Sequence, residues 1–196
     1  MLERGVTASI IAEPVPLCAS EMNRRRSIQQ QHEQALVRDF LSWLNTRRRW
    51  PFTVIAEPNP PEAIIKSARA TTWVEVADAY WNREWARHVL SKVTPGETHK
   101  PIRPGPHKNM DRQFARSFVD VLSRKLAKRS YVPFRDCYGP GYLVVCEQHP
   151  FFDASTIDEM RETWKRDRPT ADLGCFRAIY IAHRAGNGRG FLRWRV

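Results

Sequence analysis

Two short apolar segments, each carrying one carboxylate, constrain this chain more than any other feature. Pro61-Glu62-Ala63-Ile64-Ile65 and Trp73-Val74-Glu75-Val76-Ala77 have the length and side-chain content of buried strands. A charge on such a strand is costly unless it is paired or holds a metal. Glu62 and Glu75 are thirteen residues apart in a chain of formal net charge +11. The pair therefore points to a cation site that faces a polyanion.

The 196 residues are enough for one medium domain with a single core. An apolar content of 42% and seven tryptophans argue for a folded globule over a disordered chain. Thirty-two basic residues against 21 acidic ones give a pI near 10, which points to nucleic acid or another anionic partner. No apolar run reaches the roughly 18–20 residues that a membrane span needs. Glu3 and Glu13 flank an apolar stretch around Ile10-Ile11 that is too short for a good signal peptide. The expectation is a cytoplasmic chain with no membrane partner. The cysteines, at 18, 137, 146 and 175, form no CxxC pair. Cys146, inside Leu143-Val144-Val145-Cys146, reads as a reduced core thiol. A zinc set of Cys137, Cys146, His149 and Cys175 has no spacing to single it out.

The periodicity predicts an irregular arm over 1–22, one domain over 23–183, and a basic tail or edge strand over 184–196. A helix over 23–45 places Leu36, Val37, Phe40, Trp43 and Leu44 on one stripe, and Glu33 falls on that stripe too. Strands follow at 52–55, 62–66 and 72–77, joined by brief connections that suggest an antiparallel meander. Next come a helix over 82–92, a basic proline- and glycine-rich loop over 94–110, and a helix over 111–130. A strand over 142–146, a helix over 155–165 capped by Ser155 or Thr156, and a strand over 176–182 imply a βαβ element in a mixed α/β sheet. The Trp81 and Trp85 pair is assigned to the core.

The two acids and this element order resemble the PD-(D/E)xK, or restriction-endonuclease-like, nuclease superfamily. There the first strand brings an acid after a proline, as in Pro61-Glu62. The second brings an acid followed two residues later by lysine, where this chain has Glu75-Val76-Ala77. Glutamate replaces the usual first aspartate, and alanine replaces the lysine. The likeness covers roughly residues 25–182, and the later helix and strand look like those of uncharacterised bacterial members. It implies a core of helix, three-strand meander, helix, strand, helix and strand. It also implies a Mg²⁺- or Mn²⁺-dependent endonuclease or exonuclease site with no organic cofactor.

Hard carboxylate ligands suit those ions, so Glu62 and Glu75 are the candidate metal ligands. The resemblance adds Glu33, because some members supply an acid from the first helix. It also makes Lys125 a substitute for the missing lysine, since members can move that residue to a neighbouring helix. The bland alternatives are a solvent-facing Glu62, a Glu75 paired with arginine, a Glu33 reaching water and a snorkelling Lys125. Asp78 is a spare ligand or a helix cap. From Lys100 to Arg129 nine basic residues stand against Asp111 and Asp120. Of these, Arg103, Lys108, Arg112, Arg116, Lys128 and Arg129 are the candidate phosphate contacts.

Three functions fit. The first is a DNA-binding nuclease, with RNA as the alternative substrate; the resemblance makes a homodimer compatible. The second is a catalytically decayed member of the same fold that binds nucleic acid or serves in an assembly, as Ala77 suggests. The third is a basic adaptor for an acidic protein. The nuclease reading requires Glu62 and Glu75 on one face of the sheet.

Overall fold

The computed structural model describes residues 19–167, 172–186 and 188–195. These form a mixed α/β fold with six strands in one sheet and five helices. In chain order the elements are α1 (Ala19–Asn45), β1 (Thr53–Ala56), β2 (Ala63–Lys66), β3 (Thr71–Tyr80), α2 (Arg83–Val93) and α3 (Met110–Leu126). After a 3₁₀ turn (Arg129–Tyr131) come α4 (Val132–Tyr138), β4 (Gly141–Gln148), α5 (Ala154–Asp167), β5 (Phe176–Ala185) and β6 (Gly188–Trp194).

The strands lie side by side in sequence order. β1, β2 and β3 are the expected antiparallel meander. β3, β4 and β5 run parallel, with α5 as the crossover between the last two. β6 returns antiparallel to β5, so the basic C-terminal segment is an edge strand.

Alternation along the strands gives the sheet two apolar faces. Val74, Val76, Tyr142, Val144, Ala178 and Tyr180 meet Leu36, Val37, Phe40 and Leu44 of α1. On the other face Trp73, Ala77, Leu143, Ile179 and Ile181 meet Phe114, Phe118 and Leu122 of α3 and Met160 and Trp164 of α5. Trp81 is buried in this second cluster and Trp85 packs against it, as expected. Gly141 fits because a Cβ there would lie 2.4 Å from the buried Trp73 ring.

Several boundaries differ from those the sequence predicts. α1 starts at Ala19, so the last four residues of the expected arm are helical; residues 1–18 lie outside those described. β3 runs on to Tyr80, which puts Asp78 inside the strand, neither past it nor capping a helix. The cap of α5 is Asp153, whose Oδ1 accepts from the amides of Ser155 and Thr156 at 2.9 and 3.1 Å. A carboxylate one residue ahead of the helix satisfies those amides better than a hydroxyl inside it. The helix expected to end near 130 stops at Leu126, and the chain continues as the 3₁₀ turn and α4.

Candidate metal and phosphate site

Proline chemistry opens the sheet at the site. β2 pairs with β3 only from Ala63↔Val74 to Lys66↔Thr71. Carrying that register backward would set Pro61 opposite Val76 and Pro60 opposite Ala77, and neither proline has an N–H to offer. On the β2 side, therefore, the ladder stops at Val74, and among the described residues no strand pairs with that edge of the second half of β3.

Glu62 stands one residue ahead of β2, where the register carried one step back would set it opposite Glu75. Opposed residues of an antiparallel pair share a face. On that continuation both carboxylates fall on the α3 side, and the charge of Glu75 acts on Glu62. Glu75 is only 1% exposed. Its Oε1 accepts from the Lys125 ammonium at 2.5 Å and from the Tyr131 hydroxyl at 2.7 Å. Its Oε2 is buried and accepts no hydrogen bond from the described residues. A buried carboxylate oxygen without a donor is expensive, and a cation is the natural ligand for it.

Lys125 reaches the site from the last turn of α3. Its ammonium bonds Glu75 and also donates to the Val76 carbonyl at 2.9 Å, on the open edge of β3. The side chain points inward to a buried acid, unlike a snorkelling lysine, and Glu75 is paired with a lysine and not an arginine. Glu33 is buried on α1 and accepts from the Gln29 amide at 2.8 Å. Burial is the main cause that raises its pKa, with the charges of Asp78 and Glu75 adding to it. Glu62 is buried as well, not solvent-facing. Burial first, and then the charges of Glu75 and Glu33, push its carboxyl up to about 8. Lys125 and Lys128 oppose both or one of these shifts. The fold thus brings Glu33, Glu62, Glu75 and Lys125 within electrostatic reach of one another.

The shift at Glu62 gives stability a pH dependence of known sign. The folded chain holds this proton up to about pH 8, whereas an ordinary glutamate has lost it above 4.5. The folded state therefore binds more protons across that window, and stability falls as pH rises through it. Without divalent metal, Glu62→Gln is expected to gain stability relative to the parent between pH 5 and pH 8. Denaturant unfolding at the two pH values checks this, and an equal difference at both would remove the assigned cause.

A cavity of about 750 Å³ is lined by two of the four residues, Glu33 and Lys125. Its walls are Gln29, His32 and Glu33 of α1, the free half of β3, the inner face of α2, and Arg124, Lys125 and Lys128 around the end of α3. Of the candidate phosphate contacts, Lys128 lines this cavity. Arg112 and Arg116 are exposed along α3, Lys108 is exposed just before it, and Arg129 is exposed in the 3₁₀ turn. Arg103 lies in a separate depression with Glu84, Arg87 and Lys100, and its backbone amide donates to Glu84.

Two features escape sequence reasoning. Tyr131, fully buried against Glu75, sits in a single 3₁₀ turn where no periodicity marks it. His32 Nε2 and Asp78 Oδ1 approach to 3.0 Å, and this bond is the chief cause that raises the His32 pKa. The zinc set of Cys137, Cys146, His149 and Cys175 does not assemble. The group whose ligating atoms converge among the described residues is His32, Asp78 and Cys146. No described helix is long and apolar enough to cross a membrane. No protein-family model, curated protein or solved structure matches this chain.

Proposed function

We propose that this chain is a divalent-metal-dependent phosphodiesterase that acts on nucleic acid, with the PD-(D/E)xK-like site expected from its sequence. One observation carries the reading: Glu75 Oε2 is buried without a donor among the described residues, and Glu75 lies within electrostatic reach of Glu62. This all-oxygen set fits Mg²⁺ or Mn²⁺. Glu62 and Glu75 would hold the ion, with Glu33 within electrostatic reach of both. A bound ion there supplies charge neutralisation at a phosphate and acidifies a water.

The other parts belong to the chain itself. Lys125 takes the place that Ala77 leaves vacant. Its ammonium is fixed by Glu75 and the Val76 carbonyl, and so is oriented before any substrate arrives. A cation held in this way stabilises charge that develops on a phosphate without having to reorganise. Arg124 and Lys128 extend positive charge along the cavity wall, and Arg112 and Arg116 are exposed farther back on α3. Contacts of this kind grip a phosphate backbone without reading bases.

The decayed-site reading keeps one supporting observation, that Glu75 Oε1 is already occupied by Lys125 and Tyr131. Cleavage separates the two. Labelled single- and double-stranded DNA, and RNA, incubated with Mg²⁺ or Mn²⁺ are expected to be cut by the parent chain and not by Glu75→Gln. Binding without cutting under every metal condition would favour the decayed site. Binding itself is expected to be steeply salt-dependent. Six phosphate contacts would cost about 10³-fold in affinity between 50 and 200 mM salt. A flat salt profile, read by fluorescence anisotropy, would rule out the phosphate grip.

A further inference from the structure

We propose that His32, Asp78 and Cys146 form a second metal site, for a thiophilic divalent ion of the zinc class. It lies on the α1 face of the sheet, opposite to the face that carries Glu62 and Glu75.

The sheet register builds it. Asp78 of β3 and Cys146 of β4 are direct partners in the parallel ladder, so their side chains stand next to each other on one face. Further down the same face the partners are apolar, Val76 beside Val144. The three polar ligand types gather only at the end where the cavity begins. His32 comes down from α1 to complete the set. Its Nε2 is 3.0 Å from Asp78 Oδ1, and all three ligating atoms lie within 4.8 Å of one another. Zinc bonds of roughly 2.0–2.3 Å require ligand atoms about 3.3–3.8 Å apart, so a closure of at most about 1.5 Å at the sulfur and a slight opening of the His32–Asp78 pair complete the geometry.

The sulfur already interacts with Asp78, its partner across the ladder. Cys146 is buried, and its Sγ has the Gln148 amide at 3.5 Å and the Glu147 carbonyl at 3.9 Å. Both are weak sulfur contacts. The Gln148 amide also donates to Asp78 Oδ1 at 3.3 Å, which holds the carboxylate beside the thiol.

The donor atoms select the ion. A thiolate and an imidazole favour zinc or cobalt over magnesium, whereas Glu62 and Glu75 offer only hard oxygen. The two sites are therefore discriminated by chemistry, not by shape. His32, Asp78 and Gln148 also line the cavity, so three protein ligands leave a fourth position open to it. Such a site accepts an exchangeable water or anionic ligand. Binding of the ion displaces the thiol proton to solvent as the sulfur becomes a thiolate.

Cobalt reports on the site directly, because a Co²⁺–thiolate bond gives a charge-transfer absorption in the near ultraviolet. The whole chain titrated with Co²⁺ is expected to develop this band at one equivalent. Zn²⁺ is expected to displace it and excess Mg²⁺ to leave it. Cys146→Ser should abolish the band. His32→Gln, at a half-exposed position that leaves the core untouched, should weaken Co²⁺ binding about tenfold or more. Cys137→Ser and Glu75→Gln should leave the band intact. No band at one equivalent overturns the proposal, as does a band that survives Cys146→Ser or ignores His32→Gln. So does a band that disappears in Cys137→Ser or Glu75→Gln. None of these readouts depends on cleavage, so this site and the nuclease reading can fail separately.

Discussion

Lys125→Met is expected to destabilise the fold by about 3 kcal/mol and to slow metal-dependent cleavage by about 10²–10³-fold. The two losses have different causes. Glu75 is almost wholly buried and its charge is balanced from α3 by a single ammonium. Removing that ammonium leaves the Tyr131 hydroxyl as the donor to Oε1 and strands a carboxylate in an apolar layer. The chemical loss comes from the missing cation beside the reacting phosphate. A double variant, Lys125→Met with Glu75→Leu, separates them. It is expected to regain most of the stability, since two packed apolar groups replace a buried ion pair at little cost. Cleavage should not return. Urea midpoints at constant m-value measure the first effect, and single-turnover cleavage measures the second. A snorkelling lysine would instead give less than about 0.5 kcal/mol and no change in rate.

Glu75→Gln is expected to cost cleavage about 10³-fold or more while stability stays within about 1 kcal/mol. The amide oxygen still accepts from Lys125 and Tyr131, so the local hydrogen bonding survives. What disappears is the negative charge and the undonated second oxygen, the two properties that would hold a cation. The substitution also relieves repulsion at Glu62, one of the causes that raise its pKa. Glu62 should therefore titrate lower in the variant, and proton-coupled unfolding between pH 5 and pH 8 reads this directly. A variant that kept full cleavage would show that Glu75 serves the core alone.

Much of this architecture can be read from periodicity. The stripe of α1, the meander, and the βαβ order follow from spacings of three, four and two. Glu33, Glu62, Glu75 and Lys125 could each be picked out because a charge interrupted an apolar pattern. Their convergence could not be read in the same way. It depends on the register Ala63↔Val74, which leaves Glu62 at the end of the ladder within electrostatic reach of Glu75, and on α3 ending where Lys125 meets Glu75 and the Val76 carbonyl. Tyr131 carries no signal because a single 3₁₀ turn has no period to interrupt. Asp78 and Cys146 are 68 residues apart, and only the parallel pairing of β3 with β4 makes them neighbours. The end of β3 at Tyr80 is not legible for a related reason. Asp78 and Tyr80 look like a strand leaving the core, yet β4 continues to pair with them up to Gln148.

The most direct test of the cation site needs no substrate. Mn²⁺ titrated into the metal-free chain at pH 8 can be followed by the paramagnetic resonance of the free ion. One bound Mn²⁺ is expected, weakened about tenfold or more by either Glu62→Gln or Glu75→Gln and unchanged by Cys146→Ser. Binding that ignores both glutamate substitutions, or no binding at all at millimolar Mn²⁺, would contradict the assignment of Glu62 and Glu75 as a metal-holding pair.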